Sequence, residues 1–209
     1  KPYCDDPHNY GFLRTDIKDL KYYANEIAGM GFQMNTHAIG DSTVSVLLKE
    51  YQKVLNDIED PRWRIEHSQV VDLNEFELYN DKILPSVQPT HATSDMYWAY
   101  DRLGKRIDGS YAFKNLLSQS KRIALGTDFP VEKVNPFHTF YSSIERKDLN
   151  GYPENGFQIE NALTREETLK GMTIWGAYFN FEEDEKGTIE KGKSADFIII
   201  DQNIMKIEA

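Results

Sequence analysis

The sequence contains little cysteine and no long apolar run. Its 209 residues include a single cysteine, Cys4, which cannot form an internal disulfide. A chain without disulfides fits a reducing compartment, so we expect a cytoplasmic location. No apolar stretch reaches the roughly 20 residues that a membrane-spanning helix needs. These absences argue against a disulfide-stabilised secreted domain and against a membrane protein.

Clusters of basic residues are also absent. The sequence has 24 Lys and Arg against 34 Asp and Glu, which gives a net charge of −10. An acidic chain without a basic run is poorly suited to bind nucleic acid or an anionic membrane. No glycine-rich phosphate loop is present, which argues against an open α/β sheet that binds a nucleotide. We therefore expect a small-molecule substrate, with no nucleic acid and no membrane as partners.

The sequence does contain a recurring pattern, in which an apolar run ends in a side chain that can bind metal. Three predicted strands end in this way, at His37, His67 and Asp128, and another predicted strand ends at Gln88. Amphipathic helical patterns separate these strands. Such alternation predicts a parallel α/β sheet. In a barrel of parallel strands, the carboxyl ends of the strands form the face on which active sites are built.

Imidazole and carboxylate groups at neighbouring strand ends could converge on one metal ion. Both are suitable zinc ligands, and a bound metal lowers the pKa of water. An aspartate beside that water could accept its proton. The alternative for a histidine at a strand end is a purely structural role. Asp41 is equally open to two interpretations, as a helix N-cap or as a carboxylate that orients an imidazole.

The number of predicted strands restricts the architecture. Four strand units are present, whereas a closed (β/α)8 barrel has eight. The chain is therefore either an open sheet or the C-terminal half of a barrel. Residues 93–107 lack clean periodicity and are predicted to form a long loop over the site, either without helix or with one short helix. The apolar residues 197–200 are predicted to form a strand of a separate small β element.

Five segments, in this order, resemble the amidohydrolase superfamily. The resemblance is strongest to its YtcJ-like branch of TIM-barrel metal-dependent hydrolases, which includes N-substituted formamide deformylase. The matching segments are HAIGD (37–41), RIEHSQ (64–69), SVQPTHA (86–92), LGTDFPVE (125–132) and GTIEKGKSADFIIID (187–201).

The resemblance implies both a fold and a set of site residues. Residues 1–185 would form the C-terminal half of a (β/α)8 TIM barrel, and residues 186–209 would add a β segment to a small composite β-sandwich. Three residues would bind a divalent metal, expected to be zinc, with one or two ions in the complete protein: His37, His67 and Asp128. Asp128 would also be the catalytic proton acceptor. Gln88 and His91 would line the substrate pocket.

The sequence departs from the family pattern in its first metal-binding half. It contains no His-x-His pair, and the bridging residue near the fourth strand, commonly a modified lysine, is also missing. Strands one to four would precede Lys1, so we expect a missing N-terminal half, a second chain or self-association to complete the fold. The expected activity is metal-dependent hydrolysis of amide-type C–N bonds. The alternative is a non-catalytic barrel fragment or interaction module that has lost the first metal-binding half.

Overall fold

Four parallel strands form a single sheet, which confirms the predicted parallel α/β architecture. The computed structural model of the chain describes residues 1–207. Within them the strand order in the sheet follows the order in the sequence. The strands are β1 (Asn35–Ala38), β2 (Trp63–His67), β3 (Ile83–Val87) and β4 (Ala124–Leu125).

Helices connect and flank these strands. The α-helices are α1 (Ile17–Gly29), α2 (Asp41–Val54), α3 (Pro89–Asp95), α4 (Ala99–Leu103), α5 (Phe113–Ser120), α6 (Pro136–Glu145), α7 (Arg165–Met172) and α8 (Ile174–Phe179). Short 3-10 turns lie at Phe76–Leu78, Gly104–Gly109 and Ile159–Asn161. The longest of these helices has 14 residues. No helix in the described range has both the length and the apolar character needed to cross a membrane.

The start of α2 corrects both interpretations of Asp41. Gly40 is the N-cap of this helix, and Asp41 is its first helical residue. The Asp41 carboxylate accepts a hydrogen bond from the Ser42 amide at 2.9 Å and pairs with Arg106 at 3.1 Å. Asp41 therefore neither caps the helix nor orients an imidazole. Its carboxylate instead links the start of α2 to the 3-10 turn at Gly104–Gly109.

The predicted loop over residues 93–107 is wrong, because most of this segment is helical. Pro89 opens α3 at a position where its missing amide proton costs nothing. Helix α4 and the following 3-10 turn then complete the segment. Each piece is at most seven residues long. Such short helices present too few turns to give a clear apolar periodicity.

The two faces of the sheet differ in composition. Strand register places Thr36, Ile65 and Pro85 side by side on one face, and Thr36 contacts Tyr51 of α2 through a 2.7 Å hydrogen bond. This face carries the main hydrophobic core. Because side chains alternate along a strand, the other face carries the residues between these positions, among them Glu66. Near β3 and β4, Phe179 of α8 packs on that second face against Leu84 and Ala124.

The predicted strand at residues 197–200 is not formed. These residues belong to no strand, and Ile198 and Ile199 are 74% and 90% exposed. The physical reason is that no strand among residues 1–207 lies beside them to pair with their backbone groups. The composite β-sandwich over residues 186–209 stays a prediction, and residues 208–209 lie outside the described range.

Candidate metal centre

His37 and His67 meet at the carboxyl ends of β1 and β2. The Nδ1 atom of His37 lies 2.9 Å from the Nε2 atom of His67. Parallel pairing places His37 beside Glu66, one position before His67. His67 is buried, whereas His37 is exposed. The structure therefore brings together two of the three residues predicted to bind metal.

The backbone turns sharply at two of the predicted site residues. His67 has φ 72° and Asp128 has φ 54°, both in the left-handed region. Residues with a side chain seldom adopt this conformation, although His and Asp do so more readily than most. Such backbone strain concentrates at functional sites. Both strand ends therefore depart from regular geometry where the predicted metal-binding side chains lie.

His91 joins this group from the N-terminal turn of α3. One potential ligand atom each from His67, His91 and Asp128 lies within 4.8 Å of the others. His91 Nε2 is 3.6 Å from the Asp128 carboxylate, and its ring stacks on that of His67 with centroids 5.9 Å apart. The structure thus places His91, predicted to line the substrate pocket, beside two residues predicted to bind metal. His37 adjoins the group through His67.

Hydrogen bonds fix the orientation of both buried histidines. His67 Nδ1–H donates to Gln88 Oε1 at 2.9 Å, and His91 Nδ1–H donates to Glu132 Oε1 at 3.1 Å. Carboxylate and amide oxygens only accept hydrogen bonds, so each Nδ1 carries the proton. Each neutral ring then has its lone pair on Nε2. Gln88, also predicted to line the substrate pocket, here contacts His67.

The environment of His67 favours its neutral form. Burial lowers the pKa of the His67 imidazole, against the opposing influence of the Gln88 hydrogen bond and the Asp128 carboxylate. The neighbouring histidines, His37 and His91, also act to lower it. A histidine binds metal as the neutral imidazole, so burial prepares His67 for that role.

The donor atoms of this cluster fit a divalent cation. Two imidazole nitrogens that carry lone pairs and one carboxylate oxygen are a common ligand set for zinc and other transition metals. Ligand atoms of a tetrahedral zinc ion are roughly 3.3 Å apart, given metal–ligand distances of about 2.0–2.1 Å. The 4.8 Å cluster therefore needs only a modest contraction to enclose an ion.

The sequence analysis missed a second layer of residues around the site. Asp95 accepts hydrogen bonds from Tyr111 at 2.8 Å and from Gln69 at 3.3 Å, and burial raises the pKa of its carboxyl group. Asp95 follows His91 by four residues, which places both on one face of α3. That spacing would have indicated Asp95 if the segment had been predicted to be helical. Glu132 belongs to the LGTDFPVE segment (125–132), and its position just after Asp128 suggested a residue that holds the loop, but its contact with His91 was not predicted.

Comparison with known proteins places the chain in a family. Residues 1–209 match the model of the Amidohydrolase family. Protein LONG AFTER FAR-RED 3 of Arabidopsis thaliana is 31% identical over 96% of this chain and 35% of its own length. The protein YtcJ of Bacillus subtilis (strain 168) is 31% identical over 96% of this chain and 38% of its own length. N-substituted formamide deformylase of Arthrobacter pascens is 20% identical over 92% and 35%.

A solved structure agrees with these matches. An uncharacterized metal-dependent hydrolase from Pyrococcus horikoshii OT3 superposes with a TM-score of 0.85 and 27% identity, over 99% of this chain and 41% of that protein. Among the curated relatives, the chain spans only 35% of the length of the Arabidopsis protein and 38% of the length of YtcJ. Because the family model matches the sequence from the first residue to the last, the predicted resemblance is confirmed and the chain belongs to the amidohydrolase family.

Proposed function

We propose that this chain provides part of the active site of a metal-dependent hydrolase that cleaves amide-type C–N bonds. The observation that carries the proposal is the convergence of His67, His91 and Asp128, with the Nδ1 proton of each histidine already engaged. Family membership supports hydrolysis, and the deformylase relative supports an amide-type substrate.

Each residue of the cluster has a role in this proposal. His37, His67 and Asp128 hold the cation, as the sequence predicts, and His91 adds a further nitrogen. When bound, such a cation polarises a carbonyl oxygen and acidifies water. Asp128, whose side chain is 34% exposed, accepts the proton of the attacking water. It then returns this proton to the departing nitrogen. Gln88 holds the ring of His67 in place and borders the substrate.

We also propose that additional strands complete the fold as a TIM barrel. Outer edges of β1 and β4 pair with no other strand among residues 1–207. A closed barrel removes such edges, and parallel sheets are normally covered on both faces. The additional strands would come from further sequence or from self-association, and residues 186–209 would join a composite β-sandwich. If the 209-residue chain is monomeric, compact and cooperatively folded, this second proposal is wrong.

Elemental mass spectrometry on the purified protein tests the metal site. We expect close to one equivalent of zinc or another transition metal per chain, and a large loss in the His67→Ala variant. The exposed His8 provides the matched control, because His8→Ala removes an imidazole outside the cluster. Equal metal content in wild type and His67→Ala would remove His67 from the metal site.

Hydrolysis of N-substituted formamides by the protein with its natural flanking sequence tests the activity. Asp128→Asn should abolish turnover and leave the unfolding midpoint largely unchanged, because the carboxamide has the same shape. Turnover near the wild-type rate in that variant would rule out Asp128 as the proton acceptor. If the natural protein neither binds metal nor hydrolyses amides, the non-catalytic interaction module becomes the better interpretation.

A further inference from the structure

The turn that follows β4 surrounds the imidazole of His91 with two carboxylates. Asp128 lies 3.6 Å from Nε2 of the ring, and Glu132 lies 3.1 Å from Nδ1. Both acidic residues belong to one short segment, whereas His91 lies on α3 after a different strand. One loop therefore presents a carboxylate to each nitrogen of a histidine from another element.

Glu132 is itself held in place from α3. The hydroxyl of Ser94 donates a 2.6 Å hydrogen bond to Oε1 of Glu132, the same oxygen that accepts from His91. Ser94 and His91 are three residues apart and so share one side of the helix. The Glu132 side chain is 19% exposed. Two donors from one helix thus fix a largely buried carboxylate.

This arrangement determines which nitrogen of His91 is free. A carboxylate only accepts hydrogen bonds, so the proton of the neutral ring lies on Nδ1 and the lone pair lies on Nε2. That lone pair then faces the Asp128 carboxylate at 3.6 Å. A cation placed between these two atoms would be attracted by both. If the proton lay on Nε2 instead, it would point into the cluster and oppose a cation.

We propose that Glu132 is a positioning residue, which keeps His91 in the Nδ1–H form and directs its Nε2 lone pair toward the cation site shared with His67 and Asp128. This inference rests on the cation site of the proposed function. Acceptors that orient metal-binding histidines commonly change metal affinity by about 10–100-fold when removed. Glu132 would act on the cation only through His91.

Glu132→Ala tests the proposal, because it removes the acceptor of the Nδ1 proton and leaves only the Asp128 carboxylate beside the ring nitrogens. Zinc affinity, measured by competition with a chromophoric chelator in the protein with its natural flanking sequence, should fall about 10–100-fold. Glu75→Ala is the matched control. Glu75 also accepts a serine hydroxyl, from Ser45 at 2.8 Å, and its side chain is 14% exposed. Its zinc affinity should equal that of wild type.

Nitrogen-15 NMR of the metal-free protein provides a readout that a merely structural role would not change. We expect a protonated Nδ1 for His91 in wild type and a protonated Nε2, which faces the Asp128 carboxylate, in Glu132→Ala. If the variant keeps wild-type zinc affinity or a protonated Nδ1, the proposal is overturned. If Glu132→Ala does not fold, Ser94→Ala, which removes only the second donor, should weaken zinc binding several-fold, and unchanged affinity would overturn the proposal.

The two measurements also separate this inference from the proposed function. If wild type and His67→Ala bind zinc equally poorly, the proposed function fails. The nitrogen shifts then still decide whether Glu132 sets the form of His91. If His67→Ala loses zinc and Glu132→Ala does not, the proposed function stands and the positioning role is wrong.

Discussion

The Nδ1 atom of His37 lies 2.9 Å from the Nε2 atom of His67, so a hydrogen bond joins the two rings at neighbouring strand ends. Since the proton of His67 is on Nδ1 and is donated to Gln88, His37 is the donor of this bond. A cation that binds His67 Nε2 must therefore take the place of this hydrogen bond. His37 then becomes either a ligand of the cation or a competitor for the same lone pair.

The His37→Ala variant distinguishes these two roles. We expect zinc affinity to fall by about tenfold or more, because the sequence and the proposed function make His37 a ligand. Competition with a chromophoric chelator measures the change, and His8→Ala again serves as the control. A rise in affinity would mean that the hydrogen bond to His67 only competes with the metal.

Gly109 is packed against a backbone carbonyl, and this predicts a steric effect. A Cβ atom at Gly109 would lie 2.0 Å from the carbonyl oxygen of Val71. Because this oxygen belongs to the backbone, it cannot move aside as the end of a flexible side chain could. We expect Gly109→Ala to lower the free energy of unfolding by about 2–3 kcal/mol, as overpacking does. Urea denaturation measures this.

The matched control for that variant is Gly29→Ala at the end of α1. No atom lies within 4 Å of a Cβ added at Gly29. Alanine also favours helix over glycine, so this change should be neutral or stabilising by up to about 1 kcal/mol. Equal stability of the two variants would contradict the steric argument.

Arg62 links the amino end of β2 to the chain after α8. Its guanidinium pairs with Asp60 at 2.7 Å and with Glu183 at 2.8 Å, and it lies 3.7 Å above the centre of the Tyr178 ring. Only 9% of the side chain is exposed. We expect Arg62→Lys to cost about 1–3 kcal/mol of stability, because an ammonium cannot reproduce the planar fork and the stacking.

A surface arginine provides the comparison for this prediction. Arg102 pairs with Asp5 at 3.3 Å, and its side chain is 42% exposed. Exposed ion pairs contribute about 0–1 kcal/mol, so Arg102→Lys should hardly change the urea midpoint. If both variants shift the midpoint equally, the network around Arg62 contributes no more than an exposed pair.

Three buried tyrosines predict a loss of stability at alkaline pH. Burial raises the pKa of Tyr51, Tyr79 and Tyr111 above their usual value. The folded protein therefore keeps these protons when the unfolded chain releases them, so the stabilisation is present below about pH 10 and is lost as the pH rises further. Each tyrosine contributes a slope of up to about 1.4 kcal/mol per pH unit.

Burial lowers the pKa of the Arg146 guanidinium, but arginine stays protonated in proteins, so it does not offset the tyrosine effect. Unfolding free energies at several pH values between 9 and 11 should therefore fall. Tyr79→Phe should flatten the slope, whereas the exposed Tyr22→Phe should not. An unchanged slope in Tyr79→Phe would refute the assignment.

The parallel sheet was predictable because strand-like segments alternate with amphipathic helical patterns along the chain, although β1 begins at Asn35, after the apolar run at residues 31–34. His37, His67 and Asp128 all lie at or just after strand ends, as the pattern indicates. The prediction of a strand at residues 197–200 was wrong. An apolar run indicates that its side chains favour burial, but it does not indicate whether a partner strand lies beside it.

The part of the site that sequence did not predict depends on contacts between distant elements. The hydrogen bond between Glu132 and His91 connects the turn after β4 to α3, and the two residues are 41 positions apart in sequence. No periodicity reports such a contact. The proximity of His91 to Asp128 arises in the same way, from the side-by-side placement of β3 and β4.

The left-handed backbone at His67 and Asp128 has a consequence for anyone who engineers this scaffold. Glycine adopts such a conformation without steric cost, so glycine at either position should give a more stable fold than alanine there, by up to about 1 kcal/mol. A screen that rewards thermal stability alone would therefore favour glycine over alanine at both codons. Neither residue keeps a side chain of the proposed cation site, so a library built on this chain has to keep those two codons fixed.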